Sequence, residues 1–131
     1  MIQVLIVDDE KLEREGIKYL LAMEEGEWNI REASNGRDAL QILKSEETDL
    51  LLTDIKMPHM DGLELTSKAK ELNPGLQVVI FSGYSDFTFA QEAIRYGVTE
   101  YMLKPVEPES FHKTINQTKK NILKKKDKET R

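Results

Sequence analysis

The order of its apolar and amphipathic segments constrains this chain more than any other feature of the sequence. Five short runs rich in apolar residues alternate with five longer stretches that repeat apolar residues at helical spacing. The predicted strands cover residues 2–7, 28–33, 49–53, 76–81 and 100–103. The predicted helices cover residues 11–24, 36–46, 62–72 and 87–96, and a last one runs from about 108 past 122. We expect an apolar stripe along the first helix and a cap from Ser85 or Asp86 on the fourth, the stripe being formed by Leu12, Ile17, Leu20 and Leu21. Because helices that join parallel strands make right-handed crossovers, this order predicts an α/β fold with a parallel sheet covered on both faces.

Four of the five predicted strands deliver a polar or charged side chain at the carboxyl end. The first strand leads into Asp8 and Asp9, the third into Asp54, the fourth into Ser82 and the fifth into Lys104. An open α/β sheet binds its ligands outside the carboxyl ends of its strands. We therefore expect three carboxylates, one hydroxyl group and one ammonium group to meet at a single edge of the sheet.

The residue types in this group indicate cation and phosphate chemistry. Carboxylates that crowd together raise one another's pKa, and a site that keeps several of them ionised usually holds a cation. Oxygen ligands without cysteine or histidine suit Mg²⁺, Mn²⁺ or Ca²⁺, and Asp8, Asp9 and Asp54 supply them. The Lys104 ammonium suits a phosphoryl oxygen, and Ser82 can donate a hydrogen bond. Asp54 is also of the residue type that attacks phosphorus to form an aspartyl phosphate.

The composition of the chain narrows the class of protein. Its 131 residues suffice for one domain with one core, and the absence of cysteine excludes disulfides and thiolate metal sites. No apolar run approaches the roughly 20 residues of a membrane span. The first apolar run stops at Asp8 and has no basic stretch before it. We therefore expect no signal peptide, no membrane partner and a location in the cytoplasm.

Charge is distributed unevenly along the chain. Residues 1–112 carry a net charge of −11 and residues 113–131 a net charge of +6, which together give the overall −5. An acidic body argues against nucleic-acid binding by the core. The basic end, Lys119 to Arg131, could contact nucleic acid. A solvated helix end that continues into a linker is the simpler interpretation and the one we adopt from the sequence.

Taken together, the segments that carry these residues resemble the receiver domain of two-component response regulators. The resemblance rests on Asp8-Asp9-Glu10, on Asp54-Ile55-Lys56-Met57-Pro58-His59-Met60-Asp61-Gly62, on Ser82-Gly83-Tyr84, and on Tyr101-Met102-Leu103-Lys104-Pro105. It covers about residues 2–124, without a gap at any signature position. It implies the flavodoxin-like (βα)5 fold, a doubly wound parallel sheet with strand order 2-1-3-4-5. It also implies a receiver (response regulatory) domain over residues 1–124 and a lysine-rich tail or start of a linker over residues 125–131.

The resemblance implies a phosphoryl acceptor and a metal site at the edge of the sheet. It implies that a sensor histidine kinase phosphorylates Asp54. It further implies that Mg²⁺, or Mn²⁺ in its place, is bound by Asp9, Asp54 and the backbone carbonyl of Lys56. Asp8 would help to hold the cation through a water molecule.

The same resemblance implies a switch beside the phosphoryl group. Ser82 and Lys104 would contact the phosphoryl oxygens. Ser82 and Tyr101 would then act as the switch, with Tyr101 as the aromatic residue that rotates. The Lys104–Pro105 peptide bond would be cis, a geometry that proline tolerates far better than other residues.

The resemblance is closer to one kind of regulator than to others. The segments 82–87, 90–94 and 96–97 look like those of regulators whose receiver precedes an AraC-type helix-turn-helix output domain. We therefore expect an isolated receiver from a longer transcription factor, which would reach DNA only through an output domain absent from this chain. A free-standing regulator of one domain is the alternative.

The fourth predicted helix suggests a surface for a partner. We expect Phe87, Ala90 and Ile94 to form its buried stripe. Phe89 and Tyr96 then fall on nearly the opposite side, at positions i and i+7. Exposed aromatic residues beside a switch suggest an interaction surface. We expect phosphorylation to promote a homodimer through the face made by residues 87–96, the strand 100–103 and the last helix.

Two other functions fit parts of the sequence. A magnesium-dependent phosphohydrolase with an aspartyl nucleophile usually has a second Asp two residues later, where this chain has Lys56. A flavin carrier on the same fold needs a phosphate loop after the first strand, where the acidic run Asp8-Asp9-Glu10 would repel a phosphate. The sequence thus favours a phospho-switch that catalyses only its own phosphorylation and dephosphorylation and turns over no metabolite.

Overall fold

The computed structural model describes residues 1–83 and 87–130, and these ranges contain five strands and five helices in strict alternation. The strands are β1 (Ile2–Val7), β2 (Trp28–Ala33), β3 (Leu50–Asp54), β4 (Gln77–Ser82) and β5 (Glu100–Leu103). The helices are α1 (Lys11–Ala22), α2 (Gly36–Ser45), α3 (Gly62–Leu72), α4 (Phe87–Arg95) and α5 (Pro108–Thr130). The predicted alternation is confirmed, and each predicted strand boundary lies within one residue of the observed one.

All five strands run parallel in a single sheet, in the order β2-β1-β3-β4-β5. The predicted strand order 2-1-3-4-5 is therefore confirmed. The chain reverses its direction of winding between β1 and β3, which is where doubly wound sheets place their binding crevice. In the observed register Val7 pairs with Thr53, and Asp54 pairs with Phe81. The carboxyl ends of these strands consequently lie side by side.

The two faces of the sheet bury two separate apolar cores. Residues such as Leu51 and Ile80 point to the face that packs against Leu65 of α3. Their neighbours along the strands, such as Leu52, point to the face that packs against Phe111 of α5. Each fully buried side chain of this size contributes about 1.5–3 kcal/mol relative to an exposed one. A sheet held on both faces gives the residues at its carboxyl edge a fixed platform.

One residue that the sequence placed on the buried stripe of α1 lies elsewhere. Leu21 is fully buried and Ile17 and Leu20 pack against the core, as predicted, but Leu12 is 85% exposed. Nine residues separate Leu12 from Leu21, which is two and a half helical turns. The two side chains therefore point to opposite sides of the helix, and the prediction for Leu12 was wrong.

Helix α4 buries a different face from the one predicted. Ala93 is fully buried, whereas Ile94, which was expected in the core, is 74% exposed. Phe89, which was expected to be exposed, is half-buried against the core, and the Lys56 ammonium lies 5.8 Å from the centre of its ring. Tyr96 is exposed, as predicted.

The spacing of residues explains this correction. Phe89, Ala93 and Tyr96 are separated by four and three residues and so share one side of the helix. The helix packs this side against the core, and the side that carries Ile94 faces away from it. The helix cap predicted at Ser85 or Asp86 and the side chain of Phe87 lie outside the described residues.

Helix α5 is longer than the sequence suggested, since its 23 residues continue to Thr130. The segment 125–130, which was predicted to be a tail or the start of a linker, is therefore helical. Despite this length, none of the helices in the described ranges is both long and apolar enough to cross a membrane.

Candidate functional site

An acidic pocket forms where β1 and β3 end side by side. Asp8 and Asp54 directly follow the paired residues Val7 and Thr53. One carboxylate oxygen from each of Asp8, Asp9 and Asp54 lies within 4.8 Å of the other two. Carboxylate oxygens are the ligands that Mg²⁺ and Mn²⁺ prefer. The three predicted acids are thus brought together, and the donor set fits a hard divalent cation.

Lys104 extends from the end of β5 across this pocket. Its Nζ lies 3.1 Å from Oδ1 of Asp54 and 3.4 Å from Oδ2 of Asp8. A third carboxylate oxygen, Oε2 of Glu13, lies 3.8 Å away. The Lys104 backbone N–H donates to the carbonyl oxygen of Ser82 at 2.7 Å, which fixes the loop beside β4. The peptide bond between Lys104 and Pro105 is cis, as predicted.

Burial and charge act in opposite directions on the acids and the lysine. Burial raises the pKa of Asp8 to about 6, and the Asp54 carboxylate adds to the rise, against the Glu10 N–H and Lys104. Burial also raises the pKa of Asp54, against the opposing effect of the Lys104 ammonium. Burial alone would lower the pKa of Lys104, but Asp54 and Asp8 outweigh it and raise that pKa. A ligand that enters the pocket therefore meets three carboxyl groups and one ammonium group that stays charged.

The raised pKa of Asp8 predicts that this residue destabilises the metal-free protein at neutral pH. A carboxyl group whose pKa is higher in the folded state than in the unfolded state favours folding when it is protonated. This contribution is therefore present below about pH 4 and is lost as the pH rises towards 6. We expect Asp8→Asn to raise the free energy of unfolding by about 1–2 kcal/mol at pH 7 and by close to zero below pH 4.

Urea denaturation in the presence of a chelator at both pH values measures this difference. Glu47→Gln is the matched control, because Glu47 is an exposed acid that follows α2 and has no ion pair within residues 1–83 and 87–130. The control variant is expected to behave like the wild type at both pH values. An equal gain for Asp8→Asn at pH 7 and pH 4, or a loss at pH 7, contradicts the assignment of the shift.

The two residues predicted to form the switch lie on one face of the sheet. Ser82 ends β4 and is fully buried. Tyr101 of β5 is half-buried against the core that also includes Phe89. β4 pairs Ile80 with Tyr101, and side chains two residues apart in a strand point to the same face. Ser82 and Tyr101 are consequently placed on neighbouring strands with their side chains on the same side.

Three residues that support the pocket were not predicted from the sequence. Glu13 approaches Lys104, and Arg14 donates from Nη1 to the carbonyl oxygen of Asp8 at 2.8 Å. Gly62 begins α3 at a point where an added Cβ would overlap the carbonyl oxygen of Asp54. Glu13 and Arg14 could have been predicted, because they lie in the first turn of the helix predicted to start at residue 11, which directly follows the acids. No local pattern indicated the close approach of Gly62.

A cavity of about 440 Å³ opens beside the acidic pocket. Residues of α1 and of the loop that follows β5 line it, together with the charged groups of Asp54 and Lys104 and apolar side chains such as Ile17 and Leu52. The side chain of Asp54 is only 12% exposed. The cavity nevertheless gives a small molecule a route to its carboxylate.

Comparison with known proteins identifies similar sequences over almost the whole chain. A family model described as "Response regulator receiver domain" matches residues 4–116. The uncharacterized transcriptional regulatory protein YesN of Bacillus subtilis is 34% identical over 118 residues, which are 89% of this chain and 32% of that protein. The nitrate/nitrite response regulator protein NarL of Escherichia coli is 34% identical over 87% of this chain and 53% of that protein. The chain thus spans about a third to a half of the length of these relatives.

Solved structures with the same architecture include regulators of this kind. A response regulator receiver domain protein from Clostridium thermocellum has a TM-score of 0.84 and 30% identity, covering 96% of this chain and 98% of that one. A two component transcriptional regulator AraC from Clostridium phytofermentans has a TM-score of 0.83 and 34% identity, covering 95% and 97% of the two chains. The similarity in structure therefore extends over both chains almost completely.

Proposed function

Because the chain belongs to the response regulator receiver domain family, we propose that it is a phosphorylation switch in which Asp54 accepts a phosphoryl group from a sensor histidine kinase. Receiver domains are generally phosphorylated by such kinases and bind Mg²⁺ at an acidic pocket. The observation that carries the assignment of Asp54 is its contact with Lys104 at 3.1 Å, beside Asp8 and Asp9. The kinase and its receiver would meet in the cytoplasm.

In the proposed reaction an oxygen of Asp54 attacks the phosphorus atom of a phosphohistidine. The new O–P bond forms as the P–N bond breaks, and the electron pair of that bond returns to the imidazole nitrogen of the donor. Lys104 holds its ammonium beside the attacking carboxylate, where it stabilises negative charge on the phosphoryl oxygens. Asp9, Asp54 and the backbone carbonyl of Lys56 would hold Mg²⁺ or Mn²⁺, with Asp8 helping through a water molecule, and the cation would supply further positive charge beside the phosphoryl oxygens.

The phosphoryl group changes the balance of contacts around the switch residues. It brings acceptor oxygens that carry about one and a half to two negative charges, in place of the single charge of the Asp54 carboxylate. We assign to Ser82 a hydrogen bond to one of these oxygens and to Tyr101 an inward rotation on the same face of the sheet. Such a shift selects between two existing conformations because the phosphoryl group contacts them differently.

The readout that we propose is control of transcription. The relatives include proteins named as transcriptional regulators, and one similar structure is named as an AraC regulator. Since the chain covers only part of these relatives, DNA recognition is assigned to an output domain outside the present sequence. The phosphohydrolase alternative is not favoured, because the family match and Lys56 at the position of a general acid both argue against it.

Mass spectrometry after incubation with acetyl phosphate and Mg²⁺ tests the assignment of Asp54. The wild type is expected to gain the mass of one phosphoryl group, located on a peptide that contains Asp54. Asp54→Asn keeps the size of the side chain but removes the anionic nucleophile, so the gain is expected to disappear. Asp38→Asn should retain it. Equal labelling of the Asp54→Asn variant at the same peptide would make the assignment wrong.

A homodimer formed on phosphorylation is the proposed form of the active state. Tyr96 and Leu103 are 40% and 52% exposed and lie at the end of α4 and on β5. These residues, rather than the half-buried Phe89, offer apolar area beside Tyr101. A two-fold pairing through them would hold two output domains at a fixed spacing, as a reader of paired DNA half-sites requires.

Sedimentation in the presence of beryllofluoride, a mimic of the phosphoryl group, tests this dimer over a series of concentrations. The average mass is expected to rise towards that of two chains only when the mimic is present. Tyr96→Ala with Leu103→Ala should weaken the dimer at least about tenfold, because both changes remove apolar area. Leu12→Ala with Tyr19→Ala, on the exposed side of α1, is the matched control. An unchanged mass with the mimic rejects the dimer.

A further inference from the structure

The lysines of α5 fall into two sets that face in different directions. Helix α5 buries Phe111, Ile115 and Ile122 against the sheet. At about 100° per residue, Lys119, Lys125 and Lys126 lie along the two borders of that buried stripe. The remaining four lysines of the helix lie on the opposite side, at positions 113, 120, 124 and 128. We call these four lysines the outward row.

The first set fastens the helix to the body of the protein. Lys126 lies 3.0 Å from Oδ2 of Asp49, and it also donates to the carbonyl oxygen of Met1 at 2.8 Å. Lys119 donates to the carbonyl oxygen of Glu25 at 2.8 Å. Long side chains that cover an apolar border and bond beyond it hold a helix in one position. The last turns of α5 are therefore part of the folded domain.

The outward row consists of exposed side chains without an ion pair in the described ranges. Lys113, Lys120, Lys124 and Lys128 are all exposed, and none of them belongs to a salt bridge within residues 1–83 and 87–130. Between residues 113 and 128 this side of the helix carries one acid, Asp127. The row therefore has a net charge of about +3 on a protein whose overall charge is −5.

We propose that the outward row is a binding surface for the sugar-phosphate backbone of duplex DNA. Successive lysines at 120, 124 and 128 are four residues apart, which places them about 6 Å apart along the helix axis. This spacing is comparable to that of consecutive phosphates along one strand, so each ammonium can meet a separate phosphate. The helix is already held in place by Lys119 and Lys126, so binding orders only the lysine side chains.

The choice of DNA rests on the proposed function in transcription, and the row adds to it a contact made by the receiver itself. Such a contact is independent of base sequence, because phosphates position a protein on the duplex without reporting its sequence. The acidic remainder of the domain disfavours a wide contact with DNA and limits the contact to this one row. The proposal thus gives the basic end a role beyond that of a solvated helix end that continues into a linker.

Fluorescence anisotropy with a labelled duplex of arbitrary sequence tests the proposal on the 131-residue protein. The wild type is expected to bind weakly at roughly 20 mM salt, with an affinity that falls as the salt concentration rises. The outward-row variant carries Lys120→Glu, Lys124→Glu and Lys128→Glu. The control variant carries Arg37→Glu, Lys44→Glu and Lys68→Glu, which change the net charge equally at exposed positions of α2 and α3. Thermal melting of both variants shows whether the fold is intact.

The outward-row variant is expected to lose at least about tenfold in affinity relative to the control variant. The slope of log affinity against log salt should also become shallower by about 3, since about 0.9 is lost per phosphate contact. Absence of binding by the wild type at low salt, or equal losses in the two variants, overturns the proposal. Binding to vesicles of anionic phospholipid but not to DNA overturns it as well. Phosphorylation of Asp54, measured on the same samples, reports separately on the proposed function.

Discussion

Withdrawing Mg²⁺ is expected to slow phosphoryl transfer to Asp54 by at least about a hundredfold, equivalent to about 2.7 kcal/mol of transition-state stabilisation. The reason is the balance of charge in the pocket, where three carboxylates face the single ammonium of Lys104. A phosphoryl donor adds further negative charge to a position where Asp54 is only 12% exposed. Lys104 is shared between Asp54 and Asp8, so it cannot offset this repulsion alone.

The rate at which the protein gains mass from acetyl phosphate, with Mg²⁺ and with excess chelator, measures this dependence. Asp9→Asn removes one of the three acids from the exposed side of the pocket and keeps the shape of the side chain. We expect this variant to need at least about ten times more Mg²⁺ for half its maximal rate, because a ligand charge is lost. Asp38→Asn should need the same concentration as the wild type. A rate that chelator leaves unchanged contradicts the proposed role of the cation.

The pocket could be predicted from the sequence because strand topology determines it. Asp8, Asp54, Ser82 and Lys104 each stand at the carboxyl end of a predicted strand, and parallel strands bring such positions to one edge. The prediction needed only the alternation of elements, not their exact packing. Strand boundaries were equally accessible, since runs such as residues 50–54 are buried along their length and end at a charge.

Features that depend on contacts distant in sequence were not accessible in this way. In α4, which has nine residues, Ala93 and Ile94 are adjacent apolar residues, and either can mark a buried stripe. Packing against the core decides between them and also buries Phe89. Likewise, no local pattern indicates that Lys126, near the end of α5, pairs with Asp49, which is 77 positions earlier in the chain. The sequence alone shows only a lysine-rich segment typical of a linker, because the residues that Lys119 and Lys126 contact lie far away in the chain.

The approach of Gly62 to Asp54 leads to the second large effect, on stability and on phosphorylation together. A Cβ at position 62 would overlap the carbonyl oxygen of Asp54 and would lie 3.0 Å from Cα of Ile55. We expect Gly62→Ala to lower the free energy of unfolding by about 2–4 kcal/mol, because backbone atoms cannot move aside as a flexible side chain can. The same displacement moves the backbone of Asp54, so phosphorylation should slow as well.

Hydrogen bonds around Gly62 oppose the backbone movement that would relieve this overlap. Its N–H donates to the carbonyl oxygen of Ile55 at 2.7 Å, and its own carbonyl oxygen accepts from the hydroxyl of the buried Thr66 at 2.7 Å. Asp61 caps the helix by accepting from the backbone N–H of Glu64 at 2.8 Å. Movement of α3 away from β3 would stretch the bond from Gly62 to Ile55, and the other two bonds hold Gly62 within the first turn of the helix; each is worth about 0.5–1.5 kcal/mol.

Gly16→Ala is the matched control, because it adds the same methyl group to a helix where no atom lies within 4 Å of the new Cβ. Alanine is the better helix former, so this change is expected to raise the free energy of unfolding by about 0.5–1 kcal/mol. Urea denaturation of the two variants therefore gives shifts of opposite sign from one chemical change. If Gly62→Ala were as stable as the wild type and accepted phosphate at the same rate, the tight contact between α3 and Asp54 would not constrain the site. A shift of opposite sign in the two variants, with slower phosphorylation only in Gly62→Ala, would place that constraint at the acceptor itself.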